Sequence, residues 1–200
     1  GNTSAATQNV IVDDVTAPAA PTIADATGEC SVTVTAPTAT DNCAGSVTGT
    51  TTDPTTYNAQ GSYTITWTFD DGNGNTSAAT QNVIVDDVTA PAAPTIADAT
   101  GECSVTVTAP TATDNCAGSV TGTTTDPTTY NAQGSYTITW TFDDGNGNTS
   151  TATQNVIVDD VTAPAAPTIA DATGECSVTV TAPTATDNCA GSVTGTTTDP

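Results

Sequence analysis

The chain repeats itself. Gly1-Asn2-Thr3-Ser4 returns from Gly74 and again from Gly147, a period of 73 residues. One position breaks the copy: Thr151 stands where the other copies have Ala5 and Ala78. A fixed period of this length marks an array, in which each unit is a fold and units follow in a row. Identical copies present one surface many times over, which suits a spacer, a filament or a polyvalent binder better than a catalyst. Cutting at the linker gives residues 1–14 as the last strand of a preceding repeat, full repeats at 15–87 and 88–160, and the N-terminal half of a further repeat at 161–200. Both ends fall inside repeats, so the expectation is an excerpt from a longer array. A unit this small has a modest core and calls for a staple.

The charge is one-sided: 22 acidic residues and no Lys, Arg or His. The first full repeat carries eight carboxylates, Asp25, Glu29, Asp41, Asp53, Asp70, Asp71, Asp86 and Asp87. Nothing can neutralise phosphates, which argues against nucleic acid and against an anionic membrane surface. No apolar run is long enough to span a bilayer. An enzyme is not expected, because no His or Lys offers a base and no Ser or Cys has a basic neighbour. The absence of Met, and of cleavage sites for trypsin-like proteases, fits life outside the cell.

The six cysteines fall as Cys30/Cys43, Cys103/Cys116 and Cys176/Cys189, always a C-x12-C pair within one repeat. Zinc sites typically use C-x2-C pairs with further ligands, and there is no His. The spacing predicts a disulfide within each repeat and an oxidising compartment, against the alternative of two buried thiols. Such a loop contributes about 3 kcal/mol in the chain-entropy model.

Strands are expected throughout. Ser31–Thr35 alternates with Val32 and Val34 on one face, and Tyr63–Phe69 places Tyr63, Ile65, Trp67 and Phe69 inward. Ala79–Val85 is a third strand, with weaker ones at Thr22–Asp25, Ser46–Thr51 and near Tyr57. Turns are read at Ala26-Thr27-Gly28, Asp41-Asn42, Asp53-Pro54, Gln60-Gly61 and Asp71-Gly72-Asn73-Gly74. The sum is an all-β chain of tandem sandwiches. Trp67 falls in the core by its period-2 partners, whereas Tyr57 stands outside that pattern and is read as exposed.

The stretch Val32-Thr33-Val34-Thr35-Ala36-Pro37-Thr38-Ala39-Thr40-Asp41-Asn42-Cys43 resembles the hyalin repeat (HYR), with its V-x-x-P-x-x-x-D-N-C signature. Gly61, Thr64, Trp67 and Asp71-Gly72-Asn73-Gly74-Asn75 fit that family's closing half. The linker Asp13-Asp14-Val15-Thr16-Ala17-Pro18-Ala19-Ala20-Pro21-Thr22-Ile23 resembles the opening of bacterial Ig-like repeats in giant adhesins. The combination is similar to the gliding-motility and surface adhesins of Bacteroidota exported by the type IX route. HYR modules usually keep a further Cys in the last strand; its absence here favours simple Cys30–Cys43 pairing.

The resemblance implies an Ig-like topology. The chain enters a unit at the end bearing the B–C and F–G loops and leaves at the end bearing the A–B turn. At the joint between 15–87 and 88–160 this gathers Asp25 and Glu29, then Asp86 and Asp87, then Asp114 and Asn115, then Asp143, Asp144 and Asn146. Such a set offers the oxygen ligands that calcium takes. Pro18 and Pro21 fix φ and favour a stiff joint even without metal.

Three roles compete: a structural stalk or filament at the cell surface, whose partners are neighbouring repeats; a polyvalent binder of surface glycans through Tyr57, Asn58 and Gln60; and a filament in which strand 1–14 completes segment 161–200 of another copy.

Overall fold

A computed structural model of the protein describes residues 1–198; the last two residues of the 161–200 segment lie outside the described residues. The chain divides into two compact units, Gly1–Thr89 and Ala90–Pro200. Both are all-β and sandwich-like, and no helix occurs among the described residues.

In the first unit seven strands run β1 (Ala26–Gly28), β2 (Val32–Thr33), β3 (Thr38–Asp41), β4 (Gly45–Thr48), β5 (Thr56–Tyr57), β6 (Gly61–Asp70) and β7 (Thr76–Val85). The long hairpin β6–β7 is antiparallel, from Gly61 opposite Val85 to Asp70 opposite Thr76. Its five-residue loop needs left-handed backbone at Gly72 and Gly74, with φ of 81° and 102°, which glycine adopts at no steric cost. Period-2 alternation sends Ile65, Trp67 and Phe69 inward, exposed by at most 2%, and leaves threonines outside. Trp67 donates its indole N–H to Gln81 Oε1 at 3.1 Å, and Gln81 donates to the Ala24 carbonyl. Across the core stand Val32, Val34, Ala39, Val47 and Tyr57, with Val83 and Val85 from β7. Gly49 has no room for a side chain: a Cβ there would lie 2.9 Å from the Phe69 ring.

The first strand of each repeat is closed by its last. β1 runs parallel to the end of β7, Ala26 opposite Val83 and Gly28 opposite Val85. Neither half of a repeat therefore holds a complete core. The second unit repeats the pattern as β8 (Ala99–Gly101), β9 (Val105–Thr106), β10 (Thr111–Asp114), β11 (Gly118–Thr121), β12 (Thr129–Tyr130), β13 (Gly134–Asp143) and β14 (Thr149–Val158), then adds the hairpin β15 (Thr184–Asp187) with β16 (Gly191–Thr194).

Several expectations are corrected. Residues 1–14 form no strand, and Val10, Ile11 and Val12 are exposed. They correspond to β7, but no described strand pairs with them. In segment 161–198 only β15 and β16 form; Ile169, Val178 and Val180 stay exposed because no β6–β7 counterpart covers them. Ala26-Thr27-Gly28, read as a turn, is a strand, and Thr22–Asp25 is not, since β1 takes its register from β7. Tyr57 is buried rather than exposed, its ring centroid 4.4 Å from that of Tyr63.

Candidate functional site

Strand β7 measures the sandwich. Its ten residues at 3.2–3.4 Å each span roughly 30 Å. At its far end β1 stops, Asp86 donates its N–H to the Gly28 carbonyl, and Glu29 and Cys30 follow. At its near end lies the 71–75 loop beside the β3–β4 turn, which carries Asp41 and Cys43. Cys30 and Cys43 thus sit at opposite ends of the sandwich, whereas a disulfide needs Cα atoms within about 7 Å.

The within-repeat pairings are therefore overturned. Cys103 bonds Cys189, 86 residues away in the following repeat, with Cα atoms 4.9 Å apart. This excludes both Cys103–Cys116 and Cys176–Cys189. Cys30 and Cys116 are also in disulfides. Cys43 and Cys176, expected to be bonded, are free and exposed thiols.

Polar contacts surround the Cys103–Cys189 bond. Glu102 accepts from Asn188 Nδ2 and, at 2.9 Å and 3.0 Å, from the Thr162 hydroxyl. Gln133, in the β12–β13 turn, donates to the Glu102 carbonyl at 2.7 Å and accepts from the Asp160 N–H at 2.8 Å. Gln60 does the same in the first unit, with the Glu29 carbonyl and the Asp87 N–H. The sequence gives little sign of these glutamines beyond a turn position, and their amides are engaged here rather than offered to a ligand. Glu102, Asp160 and Cys189 also lie close together, but the sulfur is bonded to Cys103 and offers no thiolate.

The expected calcium ligands take varied positions. Asp25 accepts from Asn82 Nδ2 at 3.0 Å on the sheet face. Glu29 accepts the Thr89 hydroxyl, and buried Asp87 accepts the Thr89 N–H. Asp86 joins the β1 end through its backbone. In the second unit, buried Asp114 accepts the N–H groups of Cys116 and Ala117. Asp143 accepts the Gly145 N–H, and Asp144 accepts from the N–H groups of Asn146 and Asn148 and from the Asn148 side chain. Asn115 and Asn146 flank these turns. Desolvation pushes the Asp144 carboxyl up, but the Asn148 amide and the N–H groups of Asn146, Asn148 and Gly147 outweigh it and hold it below the usual carboxylate range. Asp71 is held low in the same way by Asn75, Asn73 and Gly74.

One grouping lies wholly within the first unit. Carboxylate oxygens of Asp14, Asp41 and Asp71 fall within 4.8 Å of one another. Asp14, in the linker, is held by Asn75 Nδ2 on its carbonyl at 2.9 Å and by Thr16 N–H on Oδ1 at 3.1 Å. The free Cys43 thiol is adjacent: desolvation raises its pKa, and the charges of Asp14, Asp41 and Asp71 raise it further. Asp14 is absent from the set expected at the joint, although the three stand one period before Asp87, Asp114 and Asp144.

No family model matches the chain. It is 36% identical over 177 residues to hyalin of Strongylocentrotus purpuratus, a match covering 77% of this chain and 15% of hyalin. Among solved structures it is similar to an endo-fucoidan hydrolase, MfFcnA4 of glycoside hydrolase family 107, at 14% identity over 74% of this chain and 28% of that one. The TM-score there is 0.20, and a variant of the same hydrolase gives the same values; overlap at that level supports no inference. Among the described residues no helix is long and apolar enough to cross a membrane. The distant, partial likeness to hyalin, taken with the disulfides, fits a hyalin-like extracellular repeat domain.

Proposed function

We propose that the chain is part of an extracellular stalk or filament of a bacterial surface adhesin, in which the Cys103–Cys189 disulfide staples one repeat to the following one. The carrying observation is the Cys103–Cys189 bond, which joins two successive repeats. Tension on the chain would pass from Cys103 to Cys189 through sulfur. Strands β9 to β15 lie between those two residues and would carry no load. A bond closed within one repeat would protect only a 12-residue interval and leave the core to unravel. The linker resemblance at Asp13–Ile23 supports the bacterial adhesin reading, and the Thr-rich repeats with their Thr40-Asp41-Asn42-Cys43 motif support the gliding-motility, type IX class.

The glycan-binding role has less support. Tyr57, the aromatic nominated for glycan stacking, is buried, and Gln60 is engaged with Glu29 and Asp87. No catalytic role is proposed.

The test is to pull the whole chain by its two ends, with and without reductant. Opening the Cys103–Cys189 loop of 86 residues should release roughly 300 Å of added length, at 3.3–3.6 Å per residue. Release of only roughly 45 Å per bond, the length of a 13-residue loop at the same rise, would refute the stapled stalk.

A further inference from the structure

We propose that Asp14, Asp41 and Asp71 form a calcium site that fastens the linker to the sandwich it enters. This goes beyond the stalk reading and stands on a separate observation. Asp41 is 5% exposed. Its Oδ1 accepts the N–H groups of Cys43 and Ala44, both at 2.8 Å, which closes the β3–β4 turn. Its Oδ2 is buried with no hydrogen-bond partner. A buried, unpartnered carboxylate oxygen is costly, and native structures keep few of them.

The usual remedy is closed to this protein. Its sequence has no Lys, Arg or His that could approach Asp41. Instead, the carboxylates of Asp14 and Asp71 come within 4.8 Å. Three carboxylates gather here, one of them carrying the orphan oxygen, and their like charges need a counter-charge from solution. The charged donors are hard oxygens, which select calcium or magnesium over softer metals. Calcium takes six to eight oxygens in flexible geometry and accepts carbonyls and waters among them, whereas magnesium demands a near-ideal octahedron. The three carboxylates come from a linker, a hairpin turn and a five-residue loop, an irregular set that suits calcium. The same oxygen is orphaned at Asp114 in the second unit, so the feature travels with the repeat.

The consequence is mechanical. Asp14 is attached to the 71–75 loop through Asn75 and, weakly, through Asn73 Nδ2 at 3.4 Å. A calcium ion would add a charged bridge from the linker to both loops and hold the segment leading to Pro18.

Equilibrium dialysis of the full chain against calcium chloride tests this. Half-saturation is expected between about 10⁻⁴ and 10⁻³ M, the range of extracellular modules, with a rise in melting temperature that a chelator reverses. Asp41→Asn keeps the oxygen that caps the turn and removes the charge; it should bind one calcium fewer than the parent. Asp14→Asn, in the linker and outside the core, should lose the same ion while its tryptophan emission stays native. Asp171→Asn removes an exposed charge elsewhere and should leave the count unchanged. No binding at 10⁻² M calcium, or an equal loss in all three variants, would overturn the site, the second outcome showing only a diffuse counter-ion cloud.

Discussion

Breaking Cys103–Cys189 is expected to release the β15–β16 hairpin and leave the β8–β14 sandwich folded. A loop of 86 residues contributes about 4–5 kcal/mol in the chain-entropy model. The hairpin has little else to hold it. Ala185 and Val193 are only partly buried, whereas their counterparts Ala39 and Val47 are at 3% and 8% exposure in a complete repeat. A lone two-stranded hairpin is marginal in water. Amide protection over Thr184–Thr194 should therefore fall to that of unstructured chain in Cys103→Ser or under reductant, while Gly134–Val158 stays protected. The hairpin peptide is identical in all three repeats, so the chain should carry Ala190→Gly as a mass tag. Unchanged protection of the tagged hairpin would show that packing alone secures it.

Phe69→Ala should unfold the first sandwich on its own. Phe69 is fully buried, and its ring rests on Gly49. Truncating a buried phenylalanine costs about 3–5 kcal/mol. A 73-residue unit is stable by roughly 4–11 kcal/mol at 0.05–0.15 kcal/mol per residue, so the loss removes much or all of that margin. The second sandwich has its own core, built on Ile138, Trp140 and Phe142, and should keep its protection. Ala78 against Thr151 distinguishes the β7 and β14 peptides by mass. A loss below about 1 kcal/mol would mean the ring is not a core element, and loss of both sandwiches together would mean the repeats do not fold as separate units.

The strong strands were legible because their alternation is strong. Tyr63–Phe69 could be read from Ile65, Trp67 and Phe69 at period 2, and the Asp71–Gly74 turn from its glycines. Ala26–Gly28 was not legible, because its three residues owe their strand to a register imposed by Val83–Val85, about 57 positions later. Tyr57 was misread for a related reason: its pairing opposite Val32 is non-local.

The cysteines are more instructive. Proximity in sequence favoured Cys30 with Cys43, yet the expected topology already placed their neighbours apart. Glu29, beside Cys30, was assigned to the end where the chain leaves, and Asn115, beside Cys116, to the end where it enters. Carried one residue further, that assignment separates the two cysteines of every repeat. The acidic set was partly legible in the same way: residue types and the ends they occupy were readable, but not that Asp25 turns to Asn82 on the sheet face. Nor could composition show that the second oxygen of Asp41 has no partner.

The cystine connectivity itself can be read directly, provided the copies are told apart. Peptides around Cys30, Cys103 and Cys176 are identical, as are those around Cys43, Cys116 and Cys189. A chain carrying Ser104→Ala and Ala190→Gly, both at exposed positions, should be digested without reduction by a protease that cuts at acidic residues. One disulfide-linked peptide pair carrying both mass tags is the predicted result. A pair that joins the tagged Cys103 peptide to an untagged partner would contradict the inter-repeat staple and the stalk built on it.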